Sequence, residues 1–154
     1  MTSLNEIRFQ YASILQTFAI SGNVVLVVGN TAGNRNPGSP NFGFTGDLTL
    51  ATMDISSGAA SPVLLKNVNT GIQVNGAFNS AGFANGVFAL VANAPVSDYL
   101  GPPTLYVVDA RTPSNPVLYP VQSQFGFGSM IATSIGYLLV PNSLGLNIYL
   151  LNYQ

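Results

Sequence analysis

The apolar residues of this chain occur in runs of four to six residues, such as Val24–Val28, Val87–Ala92 and Tyr137–Val140. Glycine or asparagine directly precedes each run. Runs of this length predict strands that are buried on both faces of a sheet. They are too short for a membrane-spanning helix, which needs about 18 consecutive apolar residues. The 16 glycines and 10 prolines also interrupt nearly every window that could hold an amphipathic helix. The sequence therefore predicts an all-β fold.

The exception is the segment 6–18, which permits two interpretations. Its apolar residues recur at the spacing of a helix. The alternative is a strand over 7–11, where apolar and polar residues alternate, followed by a second strand over 13–20. We favour the two strands because the rest of the chain has strand-like patterns.

A pattern of strands recurs three times along the chain. Each glycine-led run is followed by asparagine, a loop and a second strand. These second strands are predicted over 48–54, 105–109 and 146–152. In the first two passes a turn then leads into a further strand, which begins at Pro62 or Pro116.

Leading strands are predicted over 72–78 and 128–133, so that each unit contains four strands. Four antiparallel strands make the blade of a β-propeller, and such blades recur about every 40 to 50 residues. We therefore predict one all-β domain over 1–154 with three four-stranded antiparallel blade-like repeats of a partial β-propeller. The approximate repeats are 13–70, 71–125 and 126–154, with the additional N-terminal strand 7–11.

Turn-forming residues follow the predicted strands. An aspartate at a strand end can accept hydrogen bonds from backbone N–H groups two or three residues further on, and proline fixes φ near −65°. This chemistry predicts four structural turn caps, namely Asp54, Asp109, Pro113 and Pro116.

The segment Leu105–Leu118 resembles the LVIVD-repeat family of β-propellers. An apolar strand ends in Val108-Asp109, a Thr-Pro turn follows, and a new strand starts at Pro116-Val117. The first pass keeps the aspartate and the Pro-Val pair but lacks the first proline. The resemblance implies a propeller found at the cell surface or in secreted proteins, with no shared activity, so it implies a fold more than a function.

Three blades do not close a propeller, which usually has about four to eight. We expect a homo-oligomer in which two chains form one ring and each N-terminal strand completes the partner's last blade. An open end would leave unpaired strand edges and apolar surface exposed. Two alternatives stay open. The chain is a fragment of a longer propeller, or it is a β-sandwich that donates its N-terminal strand to the next subunit of a filament.

The ionisable residues exclude several classes of function. Four Lys/Arg, five Asp/Glu, no His and no Cys give a net charge of −1. Nucleic-acid binding needs clustered cations, so nucleic acid is an unsuitable partner. Zinc, haem and iron–sulfur sites of the usual kinds need His or Cys, and so do thiol and imidazole catalysis. We therefore expect no cofactor, no metal and no enzymatic activity.

The polar surface depends on uncharged residues, with 16 Asn, 14 Ser and 10 Thr. Such surfaces are common on secreted proteins, so we expect an extracellular or cell-surface location. The residues after Met1 do not form a signal peptide, because they contain neither a basic start nor an apolar segment.

Three loops, 29–47, 93–103 and 141–145, join the second and third strands of the predicted units. If the repeat holds, these loops emerge on one face and could bind a sugar or a peptide by stacking and amide hydrogen bonds. The candidate ligand-binding residues are Asn34, Arg35, Asn36, Phe42, Phe44, Asp98 and Tyr99. In the competing interpretation, Phe42 and Phe44 cover a sheet edge and the polar residues are only solvated.

Together these features predict a non-catalytic extracellular structural or binding module that acts through self-assembly and a loop face. The alternatives are a subunit of an extracellular filament with a donated N-terminal strand, and a carbohydrate- or peptide-binding propeller fragment. Asp54 and Asp109 are an unsuitable glycosidase pair, because such carboxylates lie about 5 to 9.5 Å apart and equivalent places on adjacent blades diverge.

Overall fold

A computed structural model describes residues 7–12, 14–31, 45–58, 62–75, 78–96, 99–123, 131–132, 136–142 and 144–150. These residues form eleven strands and no helix. The strands are β1 (Ile14–Ser21), β2 (Val24–Asn30), β3 (Thr45–Asp54), β4 (Val63–Asn75), β5 (Phe78–Gly82), β6 (Val87–Val96), β7 (Tyr99–Asp109), β8 (Val117–Ser123), β9 (Ile131–Ala132), β10 (Tyr137–Asn142) and β11 (Gly145–Leu150).

The strands form three separate sheets. The first sheet is β1–β4, the second is β5–β8, and the third is β9–β11. Every strand pairs antiparallel with the next strand of its own sheet. The all-β antiparallel prediction is confirmed, whereas the propeller remains a prediction. The third sheet has three strands among the described residues.

Two predicted strands differ from the structure. Residues 7–12 contain no strand, because they pair with none of the described strands and their backbone N–H and C=O groups join no ladder. The leading strand predicted over 72–78 is also wrong. Its first half belongs to the long strand β4, and β5 begins only at Phe78. The first repeat therefore extends to Asn75 and not to residue 70.

The three sheets stack face to face in the order first, second, third. We name as the front face of the first sheet the side that carries Leu26 and Val28; the opposite side is its back face. This front face packs on Phe88 and Leu90 of the second sheet. The other side of the second sheet, which carries Val91, packs on the third sheet. The arrangement has three layers, whereas a β-sandwich has two.

Ladder register shows that both junctions follow one rule. Val24 pairs with Asp54 in the first sheet, Val87 pairs with Asp109 in the second, and Tyr137 pairs with Leu150 in the third. Aligned on these pairs, the front face of each sheet meets the back face of the next sheet. Residues at the same register position in successive sheets therefore face the same end of the stack.

The leading strands of the first two sheets approach each other closely. A Cβ atom added to Gly82 would overlap the carbonyl oxygen of Ile20. The hydroxyl groups of Thr17 and Ser80 lie 3.0 Å apart, and the buried Ser21 hydroxyl donates to the carbonyl of Phe83. Residue numbers rise together from the Thr17–Ser80 contact to the Ser21–Phe83 contact, so β1 and β5 run in the same direction.

Candidate functional site

The structure describes only part of the predicted loop face. Asn34, Arg35, Asn36, Phe42, Phe44 and Asp98 lie outside the described residues. Tyr99 is the first residue of β7, where its backbone pairs with Val96. The predicted ligand site thus remains a prediction, but the strands that support it have defined positions.

The first two connections between second and third strands emerge from the same end of the stack, but the predicted loop 93–103 is wrong in extent, because most of it belongs to β6 and β7. Because β1 and β5 run in the same direction and each sheet is an antiparallel meander, β2 and β6 also share a direction. The β2–β3 and β6–β7 connections therefore begin side by side. A loop face shared by these two sheets requires that both connections begin at the same end of the stack, as they do.

A hydrogen-bonded group closes the base of the first loop. The backbone N–H of Thr31 donates to the carbonyl of Asp47 over 3.0 Å, and the Asp47 N–H donates to the Thr31 hydroxyl over 2.9 Å. The Asp47 carboxylate accepts the side-chain amides of Asn69, over 2.9 Å, and of Gln73. Sequence reasoning did not identify Asn69 and Gln73, because only the β3–β4 register places them beside Asp47.

The two aspartates at strand ends each bind their own turn. Oδ1 of Asp54 accepts the Ser56 N–H over 2.8 Å, and Oδ1 of Asp109 accepts the Arg111 N–H over 3.0 Å. The Arg111 guanidinium also binds Asp109, with Nη2 2.6 Å from Oδ2. These side-chain hydrogen bonds hold the pKa of the Asp109 carboxyl below its usual value. Both carboxylates are therefore engaged in turn structure.

The Pro113 turn also connects the first two sheets. The hydroxyl group of Thr52, which is fully buried, donates to the Pro113 carbonyl over 2.5 Å. Asn115 N–H donates to the Thr112 carbonyl over 2.8 Å and closes the same turn. The segment that resembles the LVIVD repeat thus contributes to the packing between sheets.

Further unusual surface lies elsewhere, on the two outward faces of the stack. We call the back face of the first sheet the outward back face. Its edge strand β1 exposes Leu15, Phe18 and Ile20, at 54%, 68% and 52%, whereas Val25 and Ala51 on the same side of β2 and β3 are buried. We call the front face of the third sheet the outward front face; on β11 it exposes Leu146, Ile148 and Leu150, at 53%, 62% and 53%. Exposed apolar rows of this kind mark interaction surfaces.

Four of the tyrosines on the strands, Tyr106, Tyr119, Tyr137 and Tyr149, divide into two groups. Tyr106 and Tyr149 pack against the two cores. Tyr119 and Tyr137 are half exposed, at 50% and 38%. The tyrosines therefore do not form one continuous platform for a ligand.

Searches for relatives give no match to a family model, a curated protein or a solved structure. Among the described residues no group of three or more acidic side chains is placed to hold a metal ion. That same part of the chain has no helix long and apolar enough to cross a membrane.

Proposed function

We propose that this protein is a non-catalytic extracellular structural or binding module whose blade-like sheets act through self-assembly and through a loop face. The observation that carries the proposal is the pair of exposed apolar rows, on β1 and on β11, at opposite ends of one stack. Fully burying a large aliphatic or aromatic side chain contributes about 1.5 to 3 kcal/mol. Six such side chains that are more than half exposed would release several kcal/mol on association.

The blade interpretation is supported by the way the sheets stack. Leading strands meet each other, β1 against β5 and β5 against β9. The same front-to-back rule governs both junctions. Sheets that converge along their first strands and repeat one stacking rule are typical of propeller blades. In the leading form of the proposal, two chains therefore close one ring.

The alternative is an extracellular filament. Contact between two different faces closes a ring only when the rotation between subunits permits it, and otherwise extends without limit. Residues 7–12, which both the ring and the filament hypotheses donate as a strand, form no strand with the described residues of their own chain, so they do not distinguish the two.

Negative-stain electron microscopy of the purified chain tests the assembly. The proposal predicts discrete closed particles larger than one stack of three sheets. Filaments would overturn the ring and favour the alternative. Isolated single stacks at micromolar concentration would overturn self-assembly altogether.

The loop face has a separate test, a glycan array. If the loops bind sugar, the wild-type chain binds specific glycans and the double variant Phe42→Ala/Phe44→Ala loses that binding while it stays folded. Tyr119→Ala is the matched control, because it removes an exposed aromatic ring from β8, away from the loops. Absence of glycan binding by the wild type, or equal binding by the loop variant, would overturn the carbohydrate part of the proposal.

A further inference from the structure

The two outward faces differ in kind. One is a back face and the other is a front face, and each internal junction joins a front face to a back face. Continued past either end, the stacking rule brings an outward front face onto an outward back face. Packing two back faces together would need an arrangement that neither junction of the described stack uses.

The outward front face is also more apolar than its equivalents. Tyr137, the first residue of β10, pairs with Leu150, whereas the first residues of β2 and β6 pair with Asp54 and Asp109. The third sheet thus has leucine at the register position that holds a turn-capping aspartate in the other two sheets. Leu146, Ile148 and Leu150 present an uncharged row to the outside.

The outward back face also carries larger apolar side chains than the equivalent face of the second sheet. Phe18 and Ile20 occupy the register positions that Ser80 and Gly82 occupy in the second sheet. Small residues at those positions let β5 approach β1 closely. Large apolar side chains there require more space and offer more area to bury, so this face suits a contact wider than the internal junction.

We infer that the outward front face of one chain packs against the outward back face of a second copy, with Ile148 and its β11 neighbours against Phe18 and Ile20. This inference rests on the proposed self-assembly and specifies its geometry. The contact is head to tail, so every copy contributes both surfaces. Such a contact serves a two-chain ring and a filament equally.

Two surface variants test the direction of the contact. Phe18→Lys removes the back surface and Ile148→Lys removes the front surface. Both side chains are largely exposed, at 68% and 62%, so each variant is expected to fold. Tyr119→Lys, at a half-exposed position on neither outward face, is the matched control and should assemble as the wild type does. Circular dichroism and thermal unfolding confirm the fold of each variant.

Light scattering after size exclusion then gives the masses. Each of the two face variants alone should have the mass of one chain. An equimolar mixture should form a dimer, because one intact front surface and one intact back surface remain to pair. The dimer should dissociate more readily than the wild-type ring, which has two contacts.

Different outcomes overturn different claims. If either face variant still forms dimers alone, like faces pair with like, and the head-to-tail contact is overturned while self-assembly stands. If the mixture stays monomeric although the wild type assembles, the contact is also overturned. A monomeric wild type would overturn the proposed function together with this inference.

Discussion

At the scale of single residues, the turn after β7 depends on a charged pair. Asp109 has its pKa lowered chiefly by the side-chain hydrogen bonds from Arg111. A carboxyl group whose folded pKa is depressed adds stability above its unfolded pKa, and this stability is lost as pH falls through the folded pKa. Since the pair is partly exposed, with 47% of the Arg111 side chain accessible, its contribution is at most about 1 kcal/mol.

Arg111→Ala should therefore lower the free energy of unfolding by about 0.5 kcal/mol near pH 7. The difference from the wild type should be smaller at strongly acidic pH, because it is lost as pH falls through the lowered pKa of Asp109 and the carboxyl group becomes protonated in both states. Urea denaturation at the two pH values measures it. Arg111→Lys keeps the charge but not the bidentate geometry. Its free energy of unfolding near pH 7 should lie between those of the wild type and Arg111→Ala. An equal difference at both pH values would show that the carboxylate is not responsible.

At the scale of elements, the joint between β1 and β5 depends on the absence of a side chain. A methyl group at Gly82 would overlap the backbone of Ile20, and backbone cannot move aside as a flexible side chain can. Gly82→Ala should lower the free energy of unfolding by about 1 to 3 kcal/mol. Ser80→Ala, two residues earlier, removes only the hydroxyl contact with Thr17 and should cost about 1 kcal/mol or less. Chemical denaturation of both variants checks the order, and a Gly82→Ala variant as stable as the wild type would contradict the close approach.

The sequence was sufficient to predict most of the strands but not their exact extent. The buried runs in β2, β6 and β10 were predicted because each is a short apolar run directly preceded by glycine or asparagine. The end of β4 was not predicted, because Gly71 has the sequence appearance of a break between two strands. In the structure its φ of 70° lies within β4, where the ladder shifts register between Asp47 and Thr49. A glycine that bends a strand and a glycine that ends one look the same in sequence.

At the scale of the whole molecule, the outward faces could not be identified before the register was known. Residues in a strand alternate between the two faces, so a shift of one residue exchanges the core side and the exposed side. Ala19 is buried, whereas its neighbours Phe18 and Ile20 are mostly exposed, yet all three belong to one apolar run. The need for a second chain was predicted from the number of blades; the surfaces that would join the chains come from the structure.

The central claim is that one stack of three sheets leaves two exposed apolar rows, on β1 and on β11, which a second copy covers. Sedimentation equilibrium of the wild-type chain across the micromolar range tests it most directly. The account predicts a mass of at least twice the 16.1 kDa of one chain, which persists in high salt because the outward front face is uncharged. A folded protein that sediments as a single chain at every concentration would contradict it.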